Sequence, residues 1–303
     1  MKLRRMLVDG RIEVQARTAD GGWHAAPETT ALGGRVFDAQ FELAAAQRHH
    51  DAAGALLPFA PASFRDFMLY ERHAVDAARG LVKRFHPGQA RAAAVIETLT
   101  RKPLPLFKPK PLFYRQPIYY MSNHLTFVPS GVPVAVPPYS SALDFELEIG
   151  FVLRAPLLDA DPEEALEAIG AFVVVNDFSA RDVQRAEMAT GLGPQKAKHF
   201  ASSMSAVAVT ADEILPRIDD LTGSVVINGA TVATVSSRGM KWTLGEMLAH
   251  ASAGERLNAG ELFATGTLPG GSGMEIGRWL RPGDELTLTI DQIGEISHPI
   301  LSP

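Results

Sequence analysis

The sequence predicts an α+β protein dominated by β-sheet, with a small N-terminal β/α unit over residues 1–62 and a larger domain over residues 63–303. Two observations lead to this prediction. From residue 118 onward, short apolar segments alternate with turn residues, which is typical of antiparallel strands, and helical spacing is confined to short stretches. No repeat with a period of about 20 to 50 residues is present, so a solenoid or propeller is not expected.

The N-terminal unit is predicted to begin as a β-hairpin. Two strand-like runs, at residues 3–8 and 11–15, flank the pair Asp9-Gly10, which favours a tight hairpin turn. A helix rich in alanine is predicted over residues 38–53, where the side chains recur at helical spacing.

The larger domain is expected to open with a helix over residues 64–78. Ser63 is the predicted N-cap, because its hydroxyl can accept a bond from a free backbone amide. The proline-rich segment 102–117 must be extended or looped, since proline donates no backbone hydrogen bond. Further along we expect helices at 162–169 and 179–188, strands at 223–228, 231–236 and 285–290, and a glycine-rich loop at 266–277.

The composition restricts the class of protein. The hydrophobic fraction of 46% and the charged fraction of 21% are those of a soluble globular chain. A net charge of −5 argues against nucleic acid or an anionic membrane as the main partner. The chain has no cysteine, which excludes disulfides and thiolate metal sites. Because no apolar run spans a bilayer and no signal-peptide pattern follows the basic start, we expect a cytoplasmic protein.

Carboxylates gather on two predicted strands. In the strand-like run 144–150, Glu146 and Glu148 point to one side, because strand residues two apart share a face. Asp177 follows the apolar run 171–175 and so lies at the tip of a second strand. Like charges this close repel one another, and a hard divalent cation relieves the repulsion. The pattern predicts a metal enzyme; the alternative is the solvated face of an amphipathic strand.

A candidate acid–imidazole pair lies earlier in the chain. Asp66 and His73 are seven residues apart, so on the predicted helix they share a face. The acid can serve as a metal ligand and the imidazole as a general base near neutral pH. Glu275, after the glycine-rich loop, is a candidate partner that fixes the imidazole tautomer. The alternative is an exposed, charged helix face.

Cationic and amide side chains follow the second acid-bearing strand. Arg181 and Gln184 are one helical turn apart and can hold a substrate carboxylate. In the alternative, Ser179 and Asp182 form a capping box and the segment is only a helix start. Lys198 is by default a surface lysine.

Taken together, these segments resemble the fumarylacetoacetate hydrolase family, and their order and spacing agree from about residue 64 to the C terminus. The matching segments are Phe64-Arg65-Asp66-Phe67 with His73-Ala74, Asp144-Phe145-Glu146-Leu147-Glu148, Asn176-Asp177-Phe178-Ser179-Ala180-Arg181-Asp182-Val183-Gln184, and Thr265-Gly266-Thr267 with Gly271-Ser272-Gly273-Met274-Glu275. The resemblance implies that the larger domain has this family's fold, a mixed β-sandwich or roll.

The resemblance also implies one bound Mg²⁺ or Ca²⁺, with Mn²⁺ as a further option, and a role for each residue around it. The implied metal ligands are Asp66, Glu146, Glu148 and Asp177; the implied catalytic residues are His73, Glu275 and Lys198; the implied substrate contacts are Arg181, Gln184, Tyr120 and Thr267. Met68 and Met188 stand where the mammalian-type enzyme has tyrosines, and Asp76 replaces an asparagine, so the exact substrate stays open.

The reaction implied by the resemblance is metal-dependent hydrolysis of a carbon–carbon bond in a β-diketo acid, such as an acylpyruvate, through a His-activated water and a metal-bound enolate. A role in aromatic catabolism and a homodimer are expected with it. On the same site, a 2-oxo acid decarboxylase, a hydroxy-diene-dioate isomerase or a sugar-acid dehydratase is the alternative. A purely structural cation, which predicts a closed metal shell, is a third possibility.

Overall fold

The computed structural model describes residues 1–9, 11–19, 21–26 and 56–303. The predicted α+β class is confirmed, because strands hold more of the chain than helices do. The strands are β1 Lys2–Val8, β2 Arg11–Arg17, β3 Trp23–Ala25, β4 Ser63–Phe67, β5 Tyr119–Ser122, β6 Phe127–Pro129, β7 Val134–Ala135, β8 Leu143–Asp144, β9 Glu146–Leu153, β10 Ile169–Asn176, β11 Ser179–Ala180, β12 Ser202–Met204, β13 Ala208–Thr210, β14 Thr222–Ile227, β15 Ala230–Ser236, β16 Glu261–Ser272, β17 Glu285–Ile290 and β18 Gly294–Leu301.

The helices are short and lie between the strands. They are α1 Glu71–Phe85, α2 Pro87–Thr100, α3 Pro162–Glu167, α4 Arg181–Met188, α5 Ala211–Ile214, α6 Leu244–Ser252 and α7 Gly273–Ile276, with 3₁₀ turns at Pro105–Phe107, Pro111–Tyr114, His124–Thr126 and Leu215–Arg217. None of the helices in the described ranges is long and apolar enough to cross a membrane.

Three sheets are present in the described part of the chain, the smallest being the antiparallel pair β8 and β11. Eleven strands form a large mixed sheet in the order β3-β2-β1-β13-β10-β9-β16-β4-β5, with β12 paired to β10 and β6 paired to β12. Five strands form a smaller sheet in the order β15-β14-β17-β18-β7. Strand β9 lies between β10 and β16 and is antiparallel to both. Strand β9 is therefore hydrogen-bonded along both of its edges and lies in the interior of the large sheet.

The large sheet buries both of its faces. Residues Ile149 and Phe151 of β9 belong to the main hydrophobic core, whereas Val152 belongs to a smaller core on the opposite face. The same alternation holds on β10, where Phe172 packs in the main core and Val173 in the smaller one. We call these two sides the main-core face and the small-core face.

The N-terminal hairpin is confirmed. Strand β1 pairs with β2 in antiparallel register, with Val8 opposite Arg11. Strand β1 also pairs with β13, so the hairpin continues the large sheet. The boundary at residue 62 stays a prediction, and the helix predicted at 38–53 lies outside the described residues.

The helix predicted over residues 64–78 is wrong in its first half, from residue 64 to residue 70. Residues Ser63–Phe67 form strand β4, which is paired with β16 on one edge and β5 on the other. Helix α1 begins only at Glu71, after Tyr70. Phe64 packs in the smaller core and Phe67 in the main core. Because side chains alternate along a strand, these two rings, three residues apart, lie on opposite faces of the sheet. Asp66 and His73 thus stand on different elements.

Two further predictions need correction. The glycine-rich loop at 266–277 is wrong, since Glu261–Ser272 is strand β16 and a one-turn helix follows. Gly266 has a φ of +79°, and a Cβ atom there would lie 2.3 Å from the Phe67 carbonyl oxygen, so glycine lets β16 bulge beside β4. The helix predicted at 179–188 begins at Arg181, and its N-cap Ala180 has no capping side chain, so the proposed Ser179–Asp182 capping box is absent.

The remaining local predictions hold. Residues 102–117 form turns and extended chain around two 3₁₀ turns. The helix at 162–169 is confirmed as α3, capped by Asp161, and the three later strands are β14, β15 and β17.

Candidate active site

Buried carboxylates lie on the small-core face of the large sheet, at one end of strands β9 and β10. Glu146 and Glu148 follow the alternation that places Val152 on this face, and Asp177 continues the alternation of Val173 past the end of β10. Glu146 is 4% and Glu148 1% exposed. The alternative of a solvated strand face is therefore wrong.

Asp66 reaches the same cluster from strand β4. It lies opposite Tyr120 in the β4–β5 register and is buried. Asp66, Glu146 and Glu148 each offer a carboxylate oxygen, and these oxygens lie within 4.8 Å of one another. The structure thus brings three of the four predicted metal ligands together.

Asp177 is joined to this cluster through Lys198. The Lys198 ammonium donates hydrogen bonds to Glu146 Oε2 and to Asp177 Oδ2. Asp177 also accepts from the Tyr120 hydroxyl and, at 3.2 Å, from the Ser202 hydroxyl. The default expectation for Lys198, an exposed lysine, is wrong, because this side chain is 4% exposed.

The carboxylates do not share one charge state. Burial, reinforced by repulsion from Asp177, raises the pKa of Asp66 well above its ordinary value. Burial and the neighbouring Asp66 do the same to the pKa of Glu148. Asp66 Oδ1 and Glu148 Oε2 are buried without a hydrogen-bond partner among the described residues. Unpaired carboxylate oxygens of this kind fit a hard divalent cation, so the residues present suit the metal that the family implies.

Two cations hold Glu146 in its charged form. Burial acts to raise the pKa of Glu146, but Arg181 and Lys198 outweigh it and lower this pKa below the usual range. Burial acts to lower the pKa of Lys198, yet Asp177 and Glu146 raise it above its ordinary value. The ammonium of Lys198 therefore stays protonated at neutral pH.

His73 faces the cluster from helix α1. Its Nδ1 lies 3.0 Å from Glu275 Oε2, and its Nε2 lies 3.9 Å from Glu146 Oε1. Glu275 belongs to a capping box with Ser272 at the start of α7, and its other carboxylate oxygen accepts from the Gly270 amide at 3.0 Å. The predicted proximity of His73 and Glu275 is present in the structure.

Arg181 is fully engaged with protein acceptors. Its Nε donates to Asp144 Oδ2 at 2.7 Å, and its two terminal nitrogens donate to Glu146 Oε1 at 2.7 Å and to Gln184 Oε1 at 2.8 Å. The Thr267 hydroxyl donates to Glu148 Oε1 at 3.3 Å. Substrate contact by Arg181, Gln184, Tyr120 and Thr267 stays a prediction.

Sequence reasoning missed three buried residues that organise the cluster. Asp144 binds Arg181, the Asn176 amide oxygen accepts from the Glu146 backbone at 3.0 Å, and Ser202 donates to Asp177. Asp144 and Asn176 lie inside the motifs that were recognised, but no spacing rule marks their partners. Only burial of these polar groups could have pointed to them.

Comparison with known proteins identifies the family of this chain. The family model described as fumarylacetoacetate (FAA) hydrolase C-terminal matches residues 84–301. Oxaloacetate tautomerase YisK of Bacillus subtilis is 31% identical over 162 residues, which cover 53% of this chain and 53% of that protein. The chain thus spans about half the length of the curated relatives that it matches.

Solved structures share the fold. A fumarylacetoacetate hydrolase from Exiguobacterium antarcticum has a TM-score of 0.71 at 20% identity, covering 100% of both chains. A fumarylpyruvate hydrolase from Pseudomonas aeruginosa, in complex with Mn²⁺ and pyruvate, has a TM-score of 0.60 at 18% identity, covering 84% of this chain and 95% of that one. The chain belongs to the fumarylacetoacetate hydrolase family, whose members include hydrolases, isomerases and tautomerases.

Proposed function

We propose that this chain is a divalent-metal-dependent hydrolase that cleaves a carbon–carbon bond in a small β-diketo acid of the acylpyruvate class. The observation that supports it most is the His73–Glu275 contact beside the buried carboxylates. A base aimed at a cation site is what activation of a water molecule requires.

The residues that would hold the cation are Asp66, Glu146, Glu148 and Asp177. When bound, a Mg²⁺, Mn²⁺ or Ca²⁺ ion would supply Lewis-acid charge to the oxygens of a 2-oxo acid. The Pseudomonas aeruginosa hydrolase of similar fold binds Mn²⁺ and pyruvate, which supports a metal and a 2-oxo acid here. We therefore keep all three ions as candidates.

The chain's own side chains would then divide the work. Glu275 Oε2 lies 3.0 Å from His73 Nδ1, and Nε2, on the cluster side of the ring, would take a proton from water. The hydroxide attacks the carbonyl distal to the carboxylate, the carbon–carbon bond breaks, and the electron pair remains on the pyruvate fragment, which then takes a proton. Lys198 carries positive charge beside this fragment and stabilises the negative charge that develops.

A second candidate is keto–enol tautomerisation of a 2-oxo diacid such as oxaloacetate. The match to the Bacillus subtilis oxaloacetate tautomerase favours it. In that reaction His73 would move a proton between oxygen and carbon, and no carbon–carbon bond would break. The site would need the same cation and the same base.

One experiment separates these functions. The purified chain is treated with EDTA, given back Mg²⁺, Mn²⁺ or Ca²⁺, and offered acylpyruvates in one assay and enol-oxaloacetate in another. Metal-dependent release of pyruvate and a free acid supports the hydrolase. Enol loss from oxaloacetate without cleavage of any acylpyruvate transfers the proposal to the tautomerase.

Three further proposals concern the assembly, the location and the domain boundary of the chain. We propose a homodimer, which light scattering would test, a cytoplasmic location, and an N-terminal unit that ends near residue 62. The unit's boundary is tested by whether residues 63–303 fold alone and bind Mn²⁺.

A further inference from the structure

Asp144 is a fully buried carboxylate that is absent from the predicted site. It ends strand β8 and shows 0% exposure. Its Oδ1 accepts from the Phe145 amide at 2.9 Å. Its Oδ2 accepts two bonds, from Arg181 Nε at 2.7 Å and from the Met274 amide at 3.1 Å. A single oxygen atom therefore joins two elements that are far apart in the chain.

The first of these bonds leads to the acid cluster. The guanidinium that Asp144 holds through Nε donates through a terminal nitrogen to Glu146 Oε1. Arg181 thus bridges one carboxylate outside the cluster and one inside it. Because a guanidinium is planar and its donors form a rigid fork, fixing Nε also fixes the direction of the bond to Glu146.

The second bond leads to the imidazole. Met274 lies in α7 directly before Glu275, whose Oε2 is 3.0 Å from His73 Nδ1. Gly273 approaches the same carboxylate so closely that a Cβ atom there would lie 2.5 Å from Asp144 Oδ1. The start of α7 is therefore seated on Asp144.

We propose that Asp144 is a positioning residue that sets the acid cluster and the His73–Glu275 pair in register, through Arg181 on one side and the Met274 amide on the other. This inference rests on the proposed function only for its meaning in catalysis. The test measures binding alone, so its outcome does not depend on which reaction the protein catalyses.

The sign of the effect follows from the contacts. In the D144N variant the side chain is neutral, and Arg181 keeps only one carboxylate partner, Glu146. The guanidinium then binds Glu146 more completely and competes with a cation for it. Loss of a nearby negative charge acts in the same direction. We expect Mn²⁺ affinity to fall about tenfold to a hundredfold, the range seen when a residue that orients a metal ligand is changed.

The experiment is calorimetric titration of the full chain with Mn²⁺, followed by titration of the Mn²⁺-loaded protein with oxalate as a mimic of a 2-oxo acid. The matched control is D182N. Asp182 is the neighbour of Arg181 and accepts from the Ser140 hydroxyl and the Ser141 amide, away from the cluster. D182N should keep both affinities within about twofold of the unchanged chain, since it leaves the ligand geometry intact.

A double-mutant cycle separates positioning from a simple charge effect. The R181K variant keeps the positive charge but loses the fork that links Asp144 to Glu146. If Asp144 acts through that fork, D144N in the R181K background should change Mn²⁺ affinity less than it does alone. An equal fall in both backgrounds would overturn the inference, because it would show only the lost charge.

A second variant covers the case in which D144N does not fold. Gly273→Ala keeps every charge, and its Cβ atom would lie 2.2 Å from the Arg278 carbonyl oxygen and 2.5 Å from Asp144 Oδ1, so the carboxylate and the start of α7 must move apart. It should lower Mn²⁺ or oxalate affinity at least about fivefold if the carboxylate position matters. Unchanged affinities in this variant, or equal losses in D144N and D182N, would show that Asp144 serves stability alone. Turnover enters none of these readouts, so absence of acylpyruvate cleavage would refute only the proposed function.

Discussion

Three of the four acids in the cluster stand on strands, whereas the imidazole and its partner Glu275 stand on helices, and the two halves are held by different means. Glu148 lies in the middle of the large sheet, opposite Val175 on one side and Thr267 on the other. His73 depends on helix α1, which is seated against α7 at Gly80. A sheet register fixes a side chain through hydrogen bonds on both edges, and a helix seat fixes it through packing.

This difference means that a change in one half should act mainly on that half and should reach the other half through Asp144, which contacts both. A change on the strand side should alter cation binding first. A change on the helix side should alter the proton transfer first. Each prediction below tests one side of this comparison, in order of decreasing effect.

The largest effect is expected from His73→Asn. It removes the general base, and turnover should fall by about 10²- to 10⁴-fold, the usual contribution of such a group. Mn²⁺ affinity should stay within about twofold, because the ligands are untouched. Steady-state rates and calorimetry measure the two quantities. His86→Asn, at the end of the same helix, is the matched control and should keep full activity. Loss of Mn²⁺ binding in His73→Asn would join the two halves and refute the comparison.

The strand side could be predicted from sequence because a period of two needs no knowledge of distant contacts. Glu146 and Glu148 were found in this way. Asp66 was chosen as a metal ligand but was placed on a helix, whereas the packing of Phe64 and Phe67 on opposite faces shows that this segment is strand β4. Long-range burial decided between the two readings, and no local pattern contains it.

The helix side could not be predicted from spacing at all. The contact between His73 and Glu275 joins residues far apart in the chain, so the sequence offered Glu275 as a candidate partner without any spacing rule that brings the two together. The bond from the Met274 amide to Asp144 is equally remote, and neither the motif nor its spacing signalled it. Periodicity gives the face of an element, but it does not give the partner across a fold.

Removal of the cation should make stability depend on pH. Burial raises the folded-state pKa of Asp66 above 3.8 and that of Glu148 above 4.5. In the metal-free protein the folded state therefore holds protons that the unfolded chain has released. The contribution of these two groups to the free energy of unfolding should be complete below about pH 4. It should fall as the pH rises toward the raised pKa values, by up to about 1.4 kcal/mol per pH unit for each group.

Thermal melts of EDTA-treated protein between about pH 5 and 8 measure this slope. Saturating Mg²⁺ or Mn²⁺ should flatten it, because the ion replaces the protons. Glu148→Gln should also flatten it in the absence of metal, since the amide cannot ionise. Glu146 contributes no slope in this window, because its pKa is lowered rather than raised. A melting temperature that rises with pH in EDTA would contradict the assigned directions.

Gly80→Ala should disturb the packing of helix α1 against helix α7. A Cβ atom at Gly80 would lie 2.0 Å from the Met274 carbonyl oxygen, so α1 or α7 must move. We expect a loss of about 1–3 kcal/mol in the free energy of unfolding, the cost of overpacking. Turnover should fall by about tenfold or more as His73 leaves Glu275, since a displacement near 1 Å is costly to catalysis. Mn²⁺ affinity should fall less than turnover does, because a displacement of α7 reaches the acid cluster only through the bond from the Met274 amide to Asp144.

Gly88→Ala on helix α2 is the matched control for this change. A Cβ atom at Gly88 would meet nothing within 4 Å. The change should be neutral or stabilise by up to about 1 kcal/mol, because alanine is the better helix former. If Gly80→Ala behaves like its control, α1 is not seated on α7 in the way that the structure indicates.

The smallest effect is expected at Thr267, where the two halves meet. Its hydroxyl donates to Glu148 Oε1 at 3.3 Å from strand β16, the strand that leads into α7. Thr267→Val removes one long hydrogen bond, worth about 1 kcal/mol, and keeps the shape of the side chain.

If the Thr267 hydroxyl supports Glu148, Mn²⁺ affinity should fall by about two- to fivefold, and KM should rise with that loss. If it contacts substrate instead, as the family resemblance implied, KM should rise at saturating Mn²⁺ and Mn²⁺ affinity should not change. Thr265→Val, which removes a buried hydroxyl that donates to the Gly266 carbonyl, should change neither. The Thr267→Val variant therefore shows whether this part of the bulged strand β16 supports the cation ligands or contacts the substrate.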